Sequence, residues 1–156
     1  MFPLKNISQL KLLEIVARIN FFKSLSVSQR ELLLSSSTCY KCYKDKYVQK
    51  ENDLNRNFYI VLSGNVAITK QNADENAADK IVGYISVGEF IGESSFINKH
   101  RKSASAKAVE DSIILCIDQD AMRDLPAKLK DKCKDAIIEG MAARIVYLTN
   151  QIQQLS

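Results

Sequence analysis

The sequence predicts an α+β, mainly β fold: an antiparallel jelly-roll barrel with helices before it and a long helix after it. Between about residues 38 and 118, apolar residues recur at every second position in short runs rich in Val, Ile, Tyr and Thr, with turn residues between the runs. On both sides of this region the apolar spacing becomes that of helices. The 156 residues can bury the core of one domain, so we expect helices over about 7–36, strands over about 38–118 and helices over about 119–155.

Two short helices are predicted before the strands. The first begins after Ser8, whose side chain suits the cap of a helix, and a second begins at Ser26 or Ser28. The residues expected to line their buried faces are Leu10, Leu13, Val16 and Ala17 in the first helix and Leu32, Leu33 and Leu34 in the second.

Polar turns separate the predicted strands. In the stretch "ENDLNRN", Asn52 and Asn55 stand where tight turns need a positive φ, which Asn adopts more readily than most residues. Residues 70–79, "KQNADENAAD", read as the polar tip of a hairpin.

Helical spacing returns after the strands. Asp118 or Asp120 is expected to cap a short helix that stops near Pro126. A longer helix follows, and its apolar residues recur towards the end in alternating steps of four and three, the spacing of a coiled-coil seam. These residues are Leu129, Cys133, Ile137, Met141, Ile145, Leu148, Ile152 and Leu155. The spacing fits a helix that packs on its own barrel, and it equally fits a helix that forms a homodimer.

Charge and hydropathy narrow the class of protein. The net charge of +4, from 22 basic and 18 acidic residues spread along the chain, is too weak to indicate a nucleic-acid partner. The start "MFPLKNISQ" lacks the pattern of a signal peptide, and no window approaches the ~18 apolar residues of a membrane span. We therefore expect a cytoplasmic protein without a membrane partner, and no DNA-binding domain because no reading helix follows the long helix.

Neither metal binding nor catalysis is indicated. Cys39 and Cys42 form a CxxC, but no second pair completes a metal site, and the chain has a single histidine, His100. Two residues three positions apart on a strand face opposite sides, which favours structural thiols over a redox pair. With no visible set of nucleophile, base and orienting group, we do not expect an enzyme.

The stretch "GEFIGESSFINKHRKSASA", Gly88 to Ala106, indicates a ligand site. If a helical turn begins near Gly92, the amides of Gly92, Glu93, Ser94 and Ser95 are free donors that can hold an anion. A cation from the "HRKSA" segment would complete this site. The carboxylate of Glu93 then needs hydroxyl donors, and a ligand with one phosphate beside a ribose hydroxyl satisfies both requirements.

This arrangement resembles the phosphate-binding cassette of the cyclic nucleotide-binding domain family, of the catabolite gene activator and protein kinase A regulatory subunit type. The family pattern F-G-E-L-A-L, a few residues, then R-A/S-A matches "FIGESSF" and "KSA" without a gap. The stretches "ENDLNRNFYIVLSGNV", "YISVGEFIGE" and "MAARI" with "YLTN" also resemble family motifs. The likeness covers about residues 20–152.

The resemblance implies a set of ligand contacts and a function. Glu93 would take the ribose 2′-hydroxyl, amides near Gly92, Ser94 and Ser103 would hold the cyclic phosphate, and the final helix would cover the base. The full predicted set is Ile91, Gly92, Glu93, Ser94, Ser95, Arg101, Lys102, Ser103, Ala104 and Thr149, with Tyr147 and Leu148 also near the base. The implied function is a stand-alone sensor that binds cyclic AMP in preference to cyclic GMP, uses no metal, and signals to a protein partner through the last helix.

Two departures from the family pattern motivate an alternative. Lys102 stands at the family's arginine, with Arg101 one place earlier, and Ser94 replaces a buried leucine. Lysine lacks the planar two-pronged donor of arginine. The alternative is a degenerate domain that no longer binds a nucleotide and serves as a dimerisation or docking module.

Overall fold

Nine strands form two antiparallel sheets in residues 1–93 and 101–155, which the computed structural model describes. Five strands pair in the order β1-β2-β9-β4-β7 and four in the order β3-β8-β5-β6. Their bounds are β1 Phe2–Pro3, β2 Thr38–Cys42, β3 Tyr47–Gln49, β4 Phe58–Ser63, β5 Asn65–Lys70, β6 Lys80–Ser86, β7 Phe90–Ile91, β8 Ser105–Ala108 and β9 Ser112–Ile117.

The jelly roll is confirmed, with one difference from the predicted barrel: the two sheets are not closed onto each other. The strand pairs within the described residues all join members of the same sheet. The edge strand β7 is only two residues long, which limits the backbone available for pairing at that edge. The fold is therefore a sandwich of two separate sheets.

Strand β4 shows how the sheets and helices share the core. Phe58, Ile60 and Leu62 face a cluster formed with the helices. Tyr59 and Val61 point the other way, into a second cluster that both sheets line. Because alternate side chains of a strand point to opposite faces, burial on both sides gives this strand a continuous apolar run instead of an alternating one.

Five helices are seen in the described part of the chain. They are α1 Gln9–Val16, α2 Asn20–Lys23, α3 Val27–Ser35, α4 Gln119–Arg123 and α5 Ala127–Gln154. The predicted caps Ser8, Ser26 and Asp118 are confirmed, since each side chain accepts a hydrogen bond from a main-chain amide in the first turn. None of these helices carries an apolar stretch of the length that a membrane span requires.

Three predicted core positions were wrong. Leu10, Ala17 and Leu32 are exposed. In α1 the buried face is Leu12 and Val16. Leu13 and Ile15 are partly buried against the same core, so the choice among the leucines of α1 depends on tertiary packing and not on spacing alone.

The turns are confirmed at Asn52 and wrong at Asn55. Among the non-glycine residues that the structure describes, positive φ occurs at Asp45 (70°) and Asn52 (73°). Asn55 instead uses its side-chain oxygen, which accepts a hydrogen bond from the Asn57 amide at 3.2 Å. A short polar residue can stabilise a turn by either route, so the sequence did not distinguish them.

The two cysteines of the CxxC point to opposite faces of β2, as predicted. Cys39 lies in the cluster beneath the helices and Cys42 lies between the sheets. All four cysteines are buried and unpaired. No group of potential metal ligands occurs among residues 1–93 and 101–155.

Candidate ligand-binding site

Strand β7 leads into the predicted cassette through two glycines with positive φ. Gly88 (87°) makes the turn before β7, and Gly92 (86°) follows it. Pairing of Ile91 with Tyr59 holds the end of β7 against β4. A Cβ atom on Gly92 would lie 2.6 Å from Lys102 Nζ and 2.7 Å from the Asn57 carbonyl. Only glycine fits at Gly92, because these contacts are too short for a carbon atom.

The described residues include most of the predicted contacts. Ile91 is buried between the sheets, and Glu93 is half-buried. Ser94 and Ser95 lie outside the described residues. Their predicted role, and that of the neighbouring amides, stays a prediction.

Lys102 points into the protein. Its side chain is 2% exposed, and its Nζ donates hydrogen bonds to the carbonyls of Asn57 at 2.5 Å and Gly92 at 3.4 Å. The ammonium lies 5.8 Å from the centre of the Tyr59 ring. Burial lowers the pKa of Lys102 to about 8, and the negative charge of Glu93 opposes that shift. The ammonium thus contacts the Gly92 carbonyl, and its predicted contact with a phosphate stays a prediction.

The backbone explains why Lys102 and Arg101 point in different directions. The amide of Lys102 donates to Asp53 and its carbonyl accepts from Asn52, so the segment runs extended beside the 52–53 turn. Adjacent side chains on an extended segment face opposite sides. Arg101 is accordingly exposed and donates to the Asn52 carbonyl at 3.1 Å.

Gln49 is a buried residue of this site that the sequence did not indicate. Its Nε2 donates to the Ala104 carbonyl at 3.0 Å, while its Oε1 is buried without a hydrogen-bond partner in the described part of the chain. The same oxygen lies 3.3 Å from the point where a Cβ on Gly92 would stand. The pairing of β3 with β8 shifts register between Tyr47 and Gln49. This irregularity explains why Val48 and Gln49 are both buried although they are adjacent.

Ser103 and Ala104 follow Lys102 and are hydrogen-bonded to neighbouring strands through their carbonyls. The carbonyl of Ser103 accepts a hydrogen bond from Lys70 Nζ at 2.5 Å, and Lys70 is also 3.4 Å from the Glu51 carboxylate. The amide of Glu51 donates to Ser105 Oγ at 2.8 Å. These contacts fasten the chain beyond Lys102 to the β3–β4 turn and to β5.

A groove of about 1070 Å³ lies between α5 and strands β6 and β7. Five charged side chains line it: Lys23, Glu89, Glu93, Glu139 and Arg144. Its apolar wall includes Val82, Tyr84, Met141, Ile145 and Leu148. Tyr147 and Leu148, expected near a base, do line the groove, whereas Thr149 is exposed and is not among its lining residues. The groove thus combines an apolar wall with the one carboxylate, Glu93, that the sequence had assigned to a ribose.

Comparison with protein families decides what kind of domain this is. The family model for the cyclic nucleotide-binding domain matches residues 41–128, which include β3 to β9 and the cassette. The chain belongs to the cyclic nucleotide-binding domain family.

Solved structures of cyclic nucleotide-binding domains share this fold. One from Methylobacillus flagellatus is 26% identical, with a TM-score of 0.78, and covers 92% of this chain and 82% of its own. The regulatory domain of Toxoplasma gondii protein kinase A, crystallised with cyclic AMP, is 17% identical, with a TM-score of 0.67, over 81% of this chain and 48% of its own. At 17% identity, the likeness to the Toxoplasma domain concerns the fold alone.

A curated relative shows how such a domain occurs within a longer protein. Cyclic nucleotide-gated channel alpha-4 of Mus musculus is 23% identical over 146 residues, which is 90% of this chain. The matched part is 24% of the channel, so this cyclic nucleotide-binding domain spans about a quarter of the length of that relative.

Proposed function

We propose that this chain is a non-catalytic sensor that binds a cyclic nucleotide, with cyclic AMP favoured over cyclic GMP, and signals to a protein partner through movement of α5. The observation that carries this proposal is the groove itself. It brings Glu93, at the start of the cassette, to the same cavity as the distal half of α5. A ligand held at Glu93 can therefore touch α5 directly. The four unpaired cysteines fit a reducing compartment, for which we propose the cytoplasm.

The groove has the chemistry that such a ligand requires. Glu93 offers acceptors for a ribose hydroxyl, and Gly92 begins the segment whose amides are proposed to hold the phosphate. The side chains of Val82 and Leu148 offer an apolar surface to a purine from opposite sides of the groove. The cyclic-AMP complex of the Toxoplasma regulatory domain supports a purine ligand for this fold.

A second candidate is a domain that has lost its ligand and acts only in dimerisation or docking. The position of Lys102 favours this alternative, because its ammonium is buried and already donates to two carbonyls. To reach a phosphate it must give up these bonds, each worth about 1.5–3 kcal/mol because the donor is charged. In that case the exposed face of α5 would be the functional surface.

Thermal unfolding with and without nucleotides separates the two candidates. A ligand at 100 times its dissociation constant stabilises the folded state by about 2.7 kcal/mol. Cyclic AMP should therefore raise the unfolding temperature by several degrees, and cyclic GMP should raise it less. The open-ring nucleotide 5′-AMP is the matched control, and Glu93→Gln should reduce the effect. If neither cyclic nucleotide shifts the transition at millimolar concentration, the sensor proposal is wrong and the docking module stands.

The two cations of the cassette can then be ranked by calorimetry. Lys102→Ala should weaken nucleotide binding about ten- to a hundredfold, since a hydrogen bond to a charged group is worth about 1.5–3 kcal/mol. Arg101→Ala should have a smaller effect because its side chain lies on the other side of the segment. The reverse ranking would identify Arg101 as the phosphate ligand.

A further inference from the structure

Helix α5 crosses β7 in close contact at Gly140. A Cβ atom on Gly140 would lie 2.3 Å from Cε1 of Phe90, so the helix backbone rests directly on the aromatic ring. Before this crossing, Leu129, Cys133 and Ile137 are buried against the domain. After it, the apolar side chains of the helix are largely exposed. The distal half of α5 therefore depends on few contacts for its position.

The strongest of these contacts is an ion pair one turn beyond the crossing. Arg144 Nη1 donates to Glu89 Oε2 at 3.0 Å and to the Tyr84 carbonyl at 3.2 Å. The guanidinium also lies 6.0 Å from the centre of the Tyr147 ring. Arg144 thus joins α5 to strand β6 and to the turn before β7 at the same time.

The carboxylate of Glu89 is fixed before it meets Arg144. Its Oε1 accepts a hydrogen bond from the Ser86 amide at 2.9 Å. Its own main-chain amide donates to the Ser86 carbonyl at 3.0 Å. Both the side chain and the main chain of Glu89 are therefore held by Ser86. The carboxylate loses little further freedom when it pairs with Arg144, which favours a persistent ion pair over a transient one.

Gly83 leaves room for the guanidinium on β6. A Cβ atom there would lie 3.1 Å from Arg144 Nη2. Any side chain at this position would press on the arginine from the strand side. A side chain there would require the flexible end of Arg144 to shift by a few tenths of an ångström.

We propose that Arg144 and Glu89 are positioning residues that hold the distal half of α5 over the groove and thereby set the affinity for the cyclic nucleotide. This inference rests on the proposed function. The pair does not fill the cavity, since a groove of about 1070 Å³ remains while it is formed. Tyr147 and Leu148 follow Arg144 within about one turn, so the pair fixes where the base-facing wall stands before any ligand arrives.

Arg144 has a second effect on the same ligand. Glu89, Glu93 and Glu139 line the groove together with Lys23 and Arg144, and uncompensated carboxylates would repel an anionic phosphate. The guanidinium neutralises one of them. Arg144→Gln should for this reason weaken binding more than Glu89→Gln does.

The first measurement needs no nucleotide. Spin labels on Lys80→Cys in β6 and Gln151→Cys in α5 report the distance between the two elements, and the four native thiols are buried. Arg144→Gln should broaden this distance distribution, and Arg144→Lys should restore part of it. The matched control is Arg123→Gln, which removes a comparable arginine–aspartate pair on α4, 3.3 Å long and away from the groove. An unchanged distribution in Arg144→Gln would refute the positioning role.

The second measurement is calorimetry with cyclic AMP and cyclic GMP. Arg144→Gln should weaken binding about five- to tenfold, as expected for a partly exposed charged pair, and the double variant with Glu89→Gln should be less than additive. Equal affinities of Arg144→Gln and Arg123→Gln would overturn the effect on binding. If the parent binds no cyclic nucleotide, the proposed function and the affinity effect both fail, whereas the label distances still decide whether the pair holds the helix.

Discussion

The ammonium group of Lys102 is a buried cation whose partners are main-chain carbonyls instead of a carboxylate. Desolvation of a charge is costly, and hydrogen bonds to neutral carbonyls offset only part of that cost. The lowered pKa of about 8 follows directly from this environment. The cassette therefore contains a charge that the fold tolerates poorly, next to the position proposed for an anion.

Lys102 makes the stability of the protein depend on pH. Its pKa is lower in the folded state (about 8) than the ordinary value of a lysine in an unfolded chain, 10.5, so the unfolded chain binds more protons between these values. The free energy of unfolding should therefore gain a contribution that rises from about pH 8 to pH 10.5. Denaturant titrations should therefore show the parent gaining stability relative to Lys102→Met over this range.

The comparison with Lys102→Met is needed because other groups change the free energy of unfolding in the opposite direction as the pH rises. Burial raises the pKa of Tyr59 and of Cys116 to about 12, and their ionisation in the unfolded chain lowers stability as the pH rises. Both groups are present in either variant. Parallel curves for the two proteins would show that Lys102 is not a destabilising cation.

Asn52 and Asn55 should respond differently to the same substitution. Asn52 has a positive φ, which glycine adopts without strain, so Asn52→Gly should be neutral or mildly stabilising. Asn55→Gly should cost about 0.5–1.5 kcal/mol, because it removes the hydrogen bond to the Asn57 amide. Urea unfolding measures both. An equal effect of the two changes would contradict these turn geometries.

At the scale of single elements, the features that the sequence predicted are those with local causes. The caps Ser8, Ser26 and Asp118 bond to amides within their own first turns. Gln49 was not predictable, because its burial depends on a register shift between β3 and β8, which are far apart in the sequence. The inward direction of Lys102 likewise depends on pairing with the 52–53 turn.

Helix α5 is the element in which local spacing was least decisive. One apolar pattern runs through its whole length, yet Ile137 is buried and Ile145 is exposed. The difference arises at Gly140, where the helix backbone rests on Phe90, and beyond this point Arg144 still joins the helix to Tyr84 and Glu89. A single glycine in a long helix gave no indication of that crossing.

Gly140→Ala should be costly even though alanine is the better helix former. The added methyl would stand 2.3 Å from the Phe90 ring, and overpacking of this kind costs typically about 1–3 kcal/mol. Thermal unfolding should show the loss, and the smaller side chain of Phe90→Leu in the same protein should recover part of it. If Gly140→Ala alone raises stability, the helix does not rest on Phe90.

At the scale of the whole molecule, the exposed face of α5 predicts a homodimer. Its apolar residues recur in steps of three and four, the spacing of a coiled-coil seam. They are Ile138, Met141, Ile145, Leu148, Ile152 and Leu155.

Sedimentation should detect the dimer at micromolar concentration and its loss in Ile152→Asp. Ile152 does not line the groove, so this change tests assembly without touching the proposed ligand site. Leu10→Asp is the matched control, since Leu10 is an equally exposed leucine on α1. A parent protein that sediments only as a monomer would show that this seam has no partner of its own kind.

The contact between Gly140 and Phe90 also determines how much farther the end of α5 moves than Arg144 does when the helix tilts. From Gly140 to the end of α5 at Gln154 the helix extends roughly 21 Å at 1.5 Å per residue. A tilt of roughly ten degrees about the crossing would carry the tip by about 4 Å, while Arg144, one turn out, would move by only about 1 Å. A small movement of Arg144, large enough to break a hydrogen bond, is therefore accompanied by a movement of the helix end that is comparable to the length of a side chain.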